Sequence, residues 1–105
     1  MEGAAEGVVA ESFVAECFWP SVTEADLVAL DRRVAQAAAD LARGTGFRYL
    51  GSILLREDEV VLCQFEGRAD AVREVATRAQ VPFERILAAG RSPWPATRDS
   101  SPLAP

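Results

Sequence analysis

The sequence predicts an α+β domain in which two helices cover one face of a four-stranded antiparallel sheet. Three observations predict it. Two segments repeat apolar residues at helical spacing, four short segments are rich in aromatic and β-branched residues, and proline, glycine or polar turns separate them. A length of 105 residues is typical of one domain. The hydrophobic content of 50% excludes a disordered chain, and no apolar run is long enough to span a membrane.

The first half of the chain predicts a strand followed by a helix. The run SFVAECFW, from Ser12 to Trp19, combines aromatic and β-branched residues, and a proline ends it. Thr23 can cap the helix that follows, with Asp26 completing a variant of the capping box. The helix is predicted near Glu24–Arg43, before two glycines. Its apolar side chains form one stripe of Leu27, Leu30, Val34, Ala37, Ala38 and Leu41.

The second half predicts a hairpin, a second helix and a last strand. The strands FRYLGSILL (Phe47–Leu55) and VVLCQFE (Val60–Glu66) are separated by a charged turn. The second helix is predicted over Ala69–Ala79, because its apolar residues share one side and Pro82 prevents its continuation. The last strand is predicted from Arg85 to about Arg91.

The element order is therefore β-α-β-β-α-β, which is that of the ferredoxin-like split βαβ fold. Residues 12–91 are assigned to this domain. Residues 1–11 are expected to form a flexible arm, and the Pro/Ser-rich residues 92–105 a disordered tail.

Charge and composition exclude several classes of function. The net charge of -5 argues against nucleic-acid binding, which needs clustered positive charge. The chain has no histidine, which excludes histidine-based catalysis and histidine-containing metal sites. Cys17 and Cys63 lie within apolar runs and lack metal-binding spacing, so buried free thiols in a reducing cytoplasm are expected. The acidic start of the chain is unlike a signal peptide, and we expect no membrane partner.

Alternation along the strands divides the predicted sheet into two faces. A tight, even-numbered turn in the hairpin would place Leu50 opposite Phe65 and Tyr49 opposite Glu66. The face under the helices is then expected to hold Phe13, Ala15, Cys17, Leu50, Ser52, Leu54, Val61, Cys63 and Phe65. The opposite face is mixed but too apolar for water, with Val14, Glu16, Phe18, Tyr49, Gly51, Ile53, Leu55, Val60, Leu62, Gln64, Glu66 and Leu87. Such a patch predicts an interface, and we expect a homodimer whose sheets pack face to face.

Three short motifs resemble those of a known family. They are R-Y-L at residues 48–50, D-E-x-x-x-C-x-x-E at 58–66 and P-F-x-R-I at 82–86. Over Ser12–Ala89 the chain resembles the DUF4242 family of small bacterial ferredoxin-like proteins, which includes a nickel-binding protein from an actinomycete. The resemblance implies a homodimer of the dimeric α/β-barrel type.

One departure from that family concerns the metal. Many members resemble V-H-x-x-A-H-G at the end of the second helix, where this sequence has Ala76 and Gln80 in place of the two histidines. The nickel site is therefore not expected here, since imidazole is the ligand that suits nickel. The carboxylates of Glu16, Asp58 and Glu66 form no dense ligand cluster in the sequence, and we expect neither metal nor cofactor.

The polar residues of the mixed face are the candidate site. Glu16 and Tyr49 are predicted to be catalytic, because a carboxylate and a hydroxyl on a covered face could move a proton. The side chains predicted to contact a bound molecule are Phe18, Gln64, Glu66 and Arg85. Tyr49 is also expected to hydrogen-bond Glu66 across the strands.

Two functions are compatible with this site. The first is a homodimer that binds a small apolar molecule as a cofactor-independent cyclase or isomerase of bacterial secondary metabolism, a use known for related dimeric barrels. The second is a non-enzymatic binding or partner module. The environment of Glu16 distinguishes the two functions. If Glu16 forms an ion pair with Arg85 or Arg91, its role is structural. Without such a partner, it could act as a general acid or base.

Overall fold

A computed structural model describes residues 11–41, 46–90 and 92. The elements are β1 (Ser12–Phe18), α1 (Glu24–Leu41), β2 (Arg48–Leu55), β3 (Val60–Glu66), α2 (Ala69–Arg78) and β4 (Arg85–Ala89). The four strands form one antiparallel sheet in the order β2-β3-β1-β4. The predicted α+β, ferredoxin-like fold is confirmed. The predicted N-terminal arm up to residue 10, the end of the first helix at Arg43, and Arg91 with the tail beyond Ser92 lie outside the described residues.

Hydrogen bonds to backbone groups stabilise the start of α1 and the end of α2. The Thr23 hydroxyl accepts a 3.0 Å hydrogen bond from the Asp26 backbone N–H, and the Thr23 N–H donates to the Asp26 carboxylate at 2.9 Å. This is the predicted capping box. Beyond the end of α2, Gln80 adopts a positive φ of 60°, and the Arg33 guanidinium of α1 donates to the Ala79 carbonyl at 2.9 Å. Arg33 thus links α1 to the C-terminal end of α2 by a hydrogen bond.

No helix in the described part of the chain is long and apolar enough to cross a membrane.

The core lies between the two helices and one face of the sheet. The helices contribute Leu30, Val34, Ala37, Val72, Val75 and Ala76, and the strands contribute Ala15, Cys17, Val61, Cys63 and Phe65. None of the polar or charged side chains in residues 11–41, 46–90 and 92 is fully buried. Cys17 and Cys63 are free thiols in this core, as predicted. The Cys63 sulfur and burial together raise the pKa of the Cys17 thiol.

The register between β2 and β3 differs from the prediction at one point. Leu55 lies opposite Val60, as expected, but a β-bulge between Tyr49 and Gly51 shifts the pairing. Tyr49 therefore lies opposite Phe65, and the predicted pairs of Tyr49 with Glu66 and of Leu50 with Phe65 are wrong. The bulge forms because Gly51 adopts a φ of +103°, which glycine tolerates and other residues rarely do.

Candidate functional site

The face of the sheet opposite the helices is here called the open face. It carries the outward side chains of the strands: Val14, Glu16, Phe18, Arg48, Ile53, Leu55, Val60, Leu62, Gln64, Glu66, Arg85 and Leu87. Its apolar members include the side chains of Phe18, Ile53, Leu55 and Leu87, which are 53%, 44%, 40% and 36% exposed. Four large apolar side chains on one sheet face form an exposed patch of the kind that marks an interaction surface.

The charged groups of the open face lie in two cross-strand ion pairs. Glu16 on β1 faces Arg85 on β4, and the Arg85 Nε donates to the Glu16 carboxylate at 2.5 Å. Arg48 on β2 faces Glu66 on β3, with the Arg48 Nη1 at 3.1 Å from the Glu66 carboxylate. The hydrogen bond that Arg85 donates to Glu16 raises the pKa of Arg85. The ion-pair partner expected for Glu16 is thus Arg85, while Arg91 lies outside the described residues.

Tyr49 lies on the other side of the sheet, under α1. Its hydroxyl donates a 2.6 Å hydrogen bond to the Asp31 carboxylate, and the Ser52 hydroxyl donates to the same oxygen at 2.9 Å. The Tyr49 ring packs on Phe65, with ring centroids 5.2 Å apart. Burial and the hydrogen bond to Asp31 raise the pKa of Tyr49 well above its usual range. The sheet therefore separates the hydroxyl of Tyr49 from the carboxylate of Glu16, and the expected Tyr49–Glu66 hydrogen bond is wrong.

Asp31 is a polar residue that the sequence analysis did not single out. It lies four residues after Leu27 and three before Val34, so helical spacing places it on the same side as the apolar stripe. A carboxylate at that position needs a partner when the helix packs on a sheet. The position of Asp31 within the apolar stripe could therefore have identified it as a residue that needs a hydrogen-bond partner. Its partners are the hydroxyls of Tyr49 and Ser52 on β2.

A groove opens at the end of the open face where β1 begins and β4 ends. It has a volume of about 270 Å³. Its walls include Val14, Leu50 and Gln64, with Ser12 and Ala89 at the strand ends. Leu50 thus lines the open face, where the prediction had placed it in the core; the bulge is the cause. Of the predicted site residues only Gln64 lines this groove.

The other predicted site residues lie elsewhere on the sheet. Phe18 is at the far end of β1, and Glu66 and Arg85 are held in the ion pairs. Within residues 11–41, 46–90 and 92, no three Cys, Asp or Glu side chains are grouped so that they could hold a metal ion.

Comparison with known proteins concerns the fold alone. No protein-family model matches the sequence, and no curated protein matches it. The crystal structure of SCO4226 from Streptomyces coelicolor A3(2) is similar, with a TM-score of 0.56 and 18% sequence identity over 77% of this chain and 98% of that chain. At this identity the similarity shows a shared fold, and the chain has the ferredoxin-like α+β architecture of two helices on a four-stranded antiparallel sheet.

Proposed function

We propose that this protein is a homodimer that binds a small, largely apolar molecule between the open faces of its two sheets. The observation that carries the proposal is the exposed apolar patch of Phe18, Ile53, Leu55 and Leu87. Burying such a patch against a second apolar surface removes it from water, which is the main favourable term in association. Face-to-face packing of two sheets is an established way to bury it.

The charge distribution favours a second copy of the chain as the partner. The whole chain carries a net charge of -5, so two copies repel each other over most of their surfaces. On the described strands, however, the charged side chains of the open face form two neutral pairs, Glu16 with Arg85 and Arg48 with Glu66. Two copies can therefore meet at this face without like charges opposing each other, and each buried charge keeps its partner.

The groove at the edge of the open face favours a small molecule as the ligand. Its volume of about 270 Å³ is slightly below the range of roughly 300–1,000 Å³ that is usual for ligand pockets. A second sheet packed over the open face would enclose the groove. A homodimer would thus convert an open groove into an enclosed binding site.

The mass of the protein in solution tests the proposal. Sedimentation or light scattering should give twice the 11.3 kDa of one chain at micromolar concentration. Apolar fluorescent probes should bind with an increase in emission, since the dimer encloses an apolar site. A monomer at that concentration contradicts the homodimer, and a dimer that binds no probe contradicts the small-molecule ligand.

Proton transfer on the bound molecule, as in a cyclase or isomerase, is a second candidate function. The observation that favours it is the Glu16 carboxylate, which lies on the open face beside the apolar patch. Because Tyr49 is on the opposite face, Glu16 would act without it and would have to leave Arg85 during the reaction. If it is catalytic, Glu16→Gln should lose about a hundredfold in conversion at protein concentrations where the variant is dimeric and still binds the ligand.

The resemblance to the DUF4242 family and a location in the cytoplasm are further proposals. Free, buried Cys17 and Cys63 are typical of a reducing compartment. If the protein forms a homodimer through the open face but converts no ligand, it is the non-enzymatic binding or partner module.

A further inference from the structure

The chemistry of the groove on the open face indicates which class of molecule it accepts. Among the residues that the structure describes, those lining it are Ser12, Phe13, Val14, Leu50, Gln64, Phe65, Ala89, Gly90 and Ser92. All of these described residues are uncharged, in a chain where 26% of the residues are charged. A charged ligand enclosed here would lose its hydration without gaining a counter-charge from any of them, which is costly. The groove is therefore suited to an uncharged molecule.

Gln64 is the long polar side chain of this groove. It is half-buried on β3, and its carboxamide makes no hydrogen bond with any other described residue. The other long polar side chains of the open face, by contrast, are engaged in the two ion pairs. When a second sheet covers the groove, an unpaired carboxamide would cost free energy unless a bound molecule supplied a partner.

We propose that the groove binds an uncharged, largely apolar molecule whose carbonyl or hydroxyl oxygen accepts a hydrogen bond from the Gln64 carboxamide N–H. This inference rests on the proposed function and specifies its ligand. Val14 and Leu50 contact the apolar body of the molecule, and Gln64 determines its orientation.

Three fluorescent probes of similar size test the chemical class. Prodan is neutral and has a carbonyl group; N-phenyl-1-naphthylamine is neutral without one; 1-anilinonaphthalene-8-sulfonate has the same skeleton with a negative charge. The wild-type dimer should bind the two neutral probes more tightly than the sulfonate. Tighter binding of the sulfonate would overturn the uncharged class.

Substitutions at Gln64 test the hydrogen bond. Gln64→Met is nearly isosteric and removes the carboxamide, and it should weaken Prodan binding about fivefold, as expected for one lost hydrogen bond. Its affinity for N-phenyl-1-naphthylamine should stay unchanged. Gln64→Glu, whose ionised carboxylate has no donor, should also weaken Prodan binding. Gln36→Met is the matched control, because Gln36 is exposed on α1 and bonds to Asp40.

The outcomes separate this inference from the proposed function. Equal Prodan affinity for the wild type and Gln64→Met overturns the role of Gln64 while the homodimer stands. A monomeric mass, or a dimer that binds none of the three probes, overturns the proposed function itself. The circular dichroism and mass of each variant show whether it remains folded and dimeric.

Discussion

Tyr49 is the sole tyrosine of the chain, and its hydroxyl joins the sheet to α1 through Asp31. Ser52 donates to the same carboxylate oxygen, so two neutral donors satisfy one half-buried charge. Hydrogen bonds to an ionised group are stronger than those between neutral groups. The trio therefore orients α1 on β2 by polar contacts, beside a core that is otherwise apolar.

The ionisation of Tyr49 should weaken the fold at high pH. Its folded-state pKa is raised above the ordinary value of 10.0 by burial and by the bond to Asp31. Its contribution to stability is thus complete below pH 10.0 and is lost as the pH rises toward the folded-state pKa, because the unfolded chain releases the proton first. The near-ultraviolet absorbance of tyrosinate reports this residue alone.

The expected result is that tyrosinate appears together with unfolding, well above pH 10.0. Tyr49→Phe should lower the free energy of unfolding at neutral pH by about 2 kcal/mol, as expected for a hydrogen bond to a charged group. It should also make that free energy decrease less steeply at high pH. Ionisation near pH 10.0 with the fold intact would contradict the assigned environment of Tyr49.

Glu16 and Arg85 form a pair whose importance depends on what covers it. In one chain the Glu16 side chain is 31% exposed and that of Arg85 is 64% exposed, and such pairs contribute little to stability. Covered by a second sheet, the same pair would be desolvated, and removing one partner would then leave a buried unpaired charge.

Glu16→Gln should therefore leave the fold nearly unchanged and weaken the homodimer by at least tenfold. Combining it with Arg85→Met should restore much of the association, because neither charge then remains unpaired. Sedimentation across a dilution series measures both constants. If Glu16→Gln associates as tightly as the wild type, the pair does not lie in the interface.

The connection after β3 depends on Gly67. Its φ is +145°, and a side-chain Cβ at this position would lie 2.8 Å from Cδ1 of Phe47 and 3.4 Å from its Cα. Phe47 is itself packed against Phe65, with ring centroids 5.8 Å apart. The turn can therefore approach Phe47, the residue before β2, this closely only with glycine, and it leads the chain from the sheet into α2.

Gly67→Ala should lower the free energy of unfolding by about 2 kcal/mol, from backbone strain together with the clash. Gly46→Ala should cost less, since its φ is +80° but its added Cβ would meet nothing within 4 Å. Gly90→Ala should be nearly neutral, as its Cβ also meets nothing within 4 Å and its φ is not in the strained range. Urea unfolding gives all three values; equal losses at Gly67 and Gly90 would refute the argument.

At the scale of the whole molecule, the helices cover one face of the sheet and leave apolar side chains exposed on the other. Ile53 lies on the open face and is 44% exposed, while Val28 lies on α1 and is 48% exposed. The two side chains are similar in size, chemistry and exposure. They differ in which side of the molecule they occupy.

Ile53→Arg should convert the homodimer into a folded monomer, because a charge without a partner would be buried between the two sheets. Val28→Arg should leave the dimer intact. Light scattering gives the mass, and circular dichroism checks the fold of each variant. Dissociation by Val28→Arg but not by Ile53→Arg would place the interface on the helices.

The periodicity of the chain was sufficient to predict the fold. The helical stripe through Leu30 and Val34, the alternation along β1 and β3, and the Thr23–Asp26 cap depend on neighbours within a few residues, and such patterns are local. For the same reason the placement of Glu16 and Gln64 on the face away from the helices could be predicted: each lies in a regular strand whose period is two.

Tertiary packing determined the side-chain placements and partners that local sequence patterns could not predict. A single extra residue before Gly51 turned Tyr49 toward the helix and Leu50 toward the open face, because one residue of register moves a side chain to the opposite face. The selection of Asp31 as the partner of Tyr49, and of Arg85 as that of Glu16, joins residues distant in sequence. Such pairings depend on where the sheet brings separate elements into contact, which local spacing does not encode.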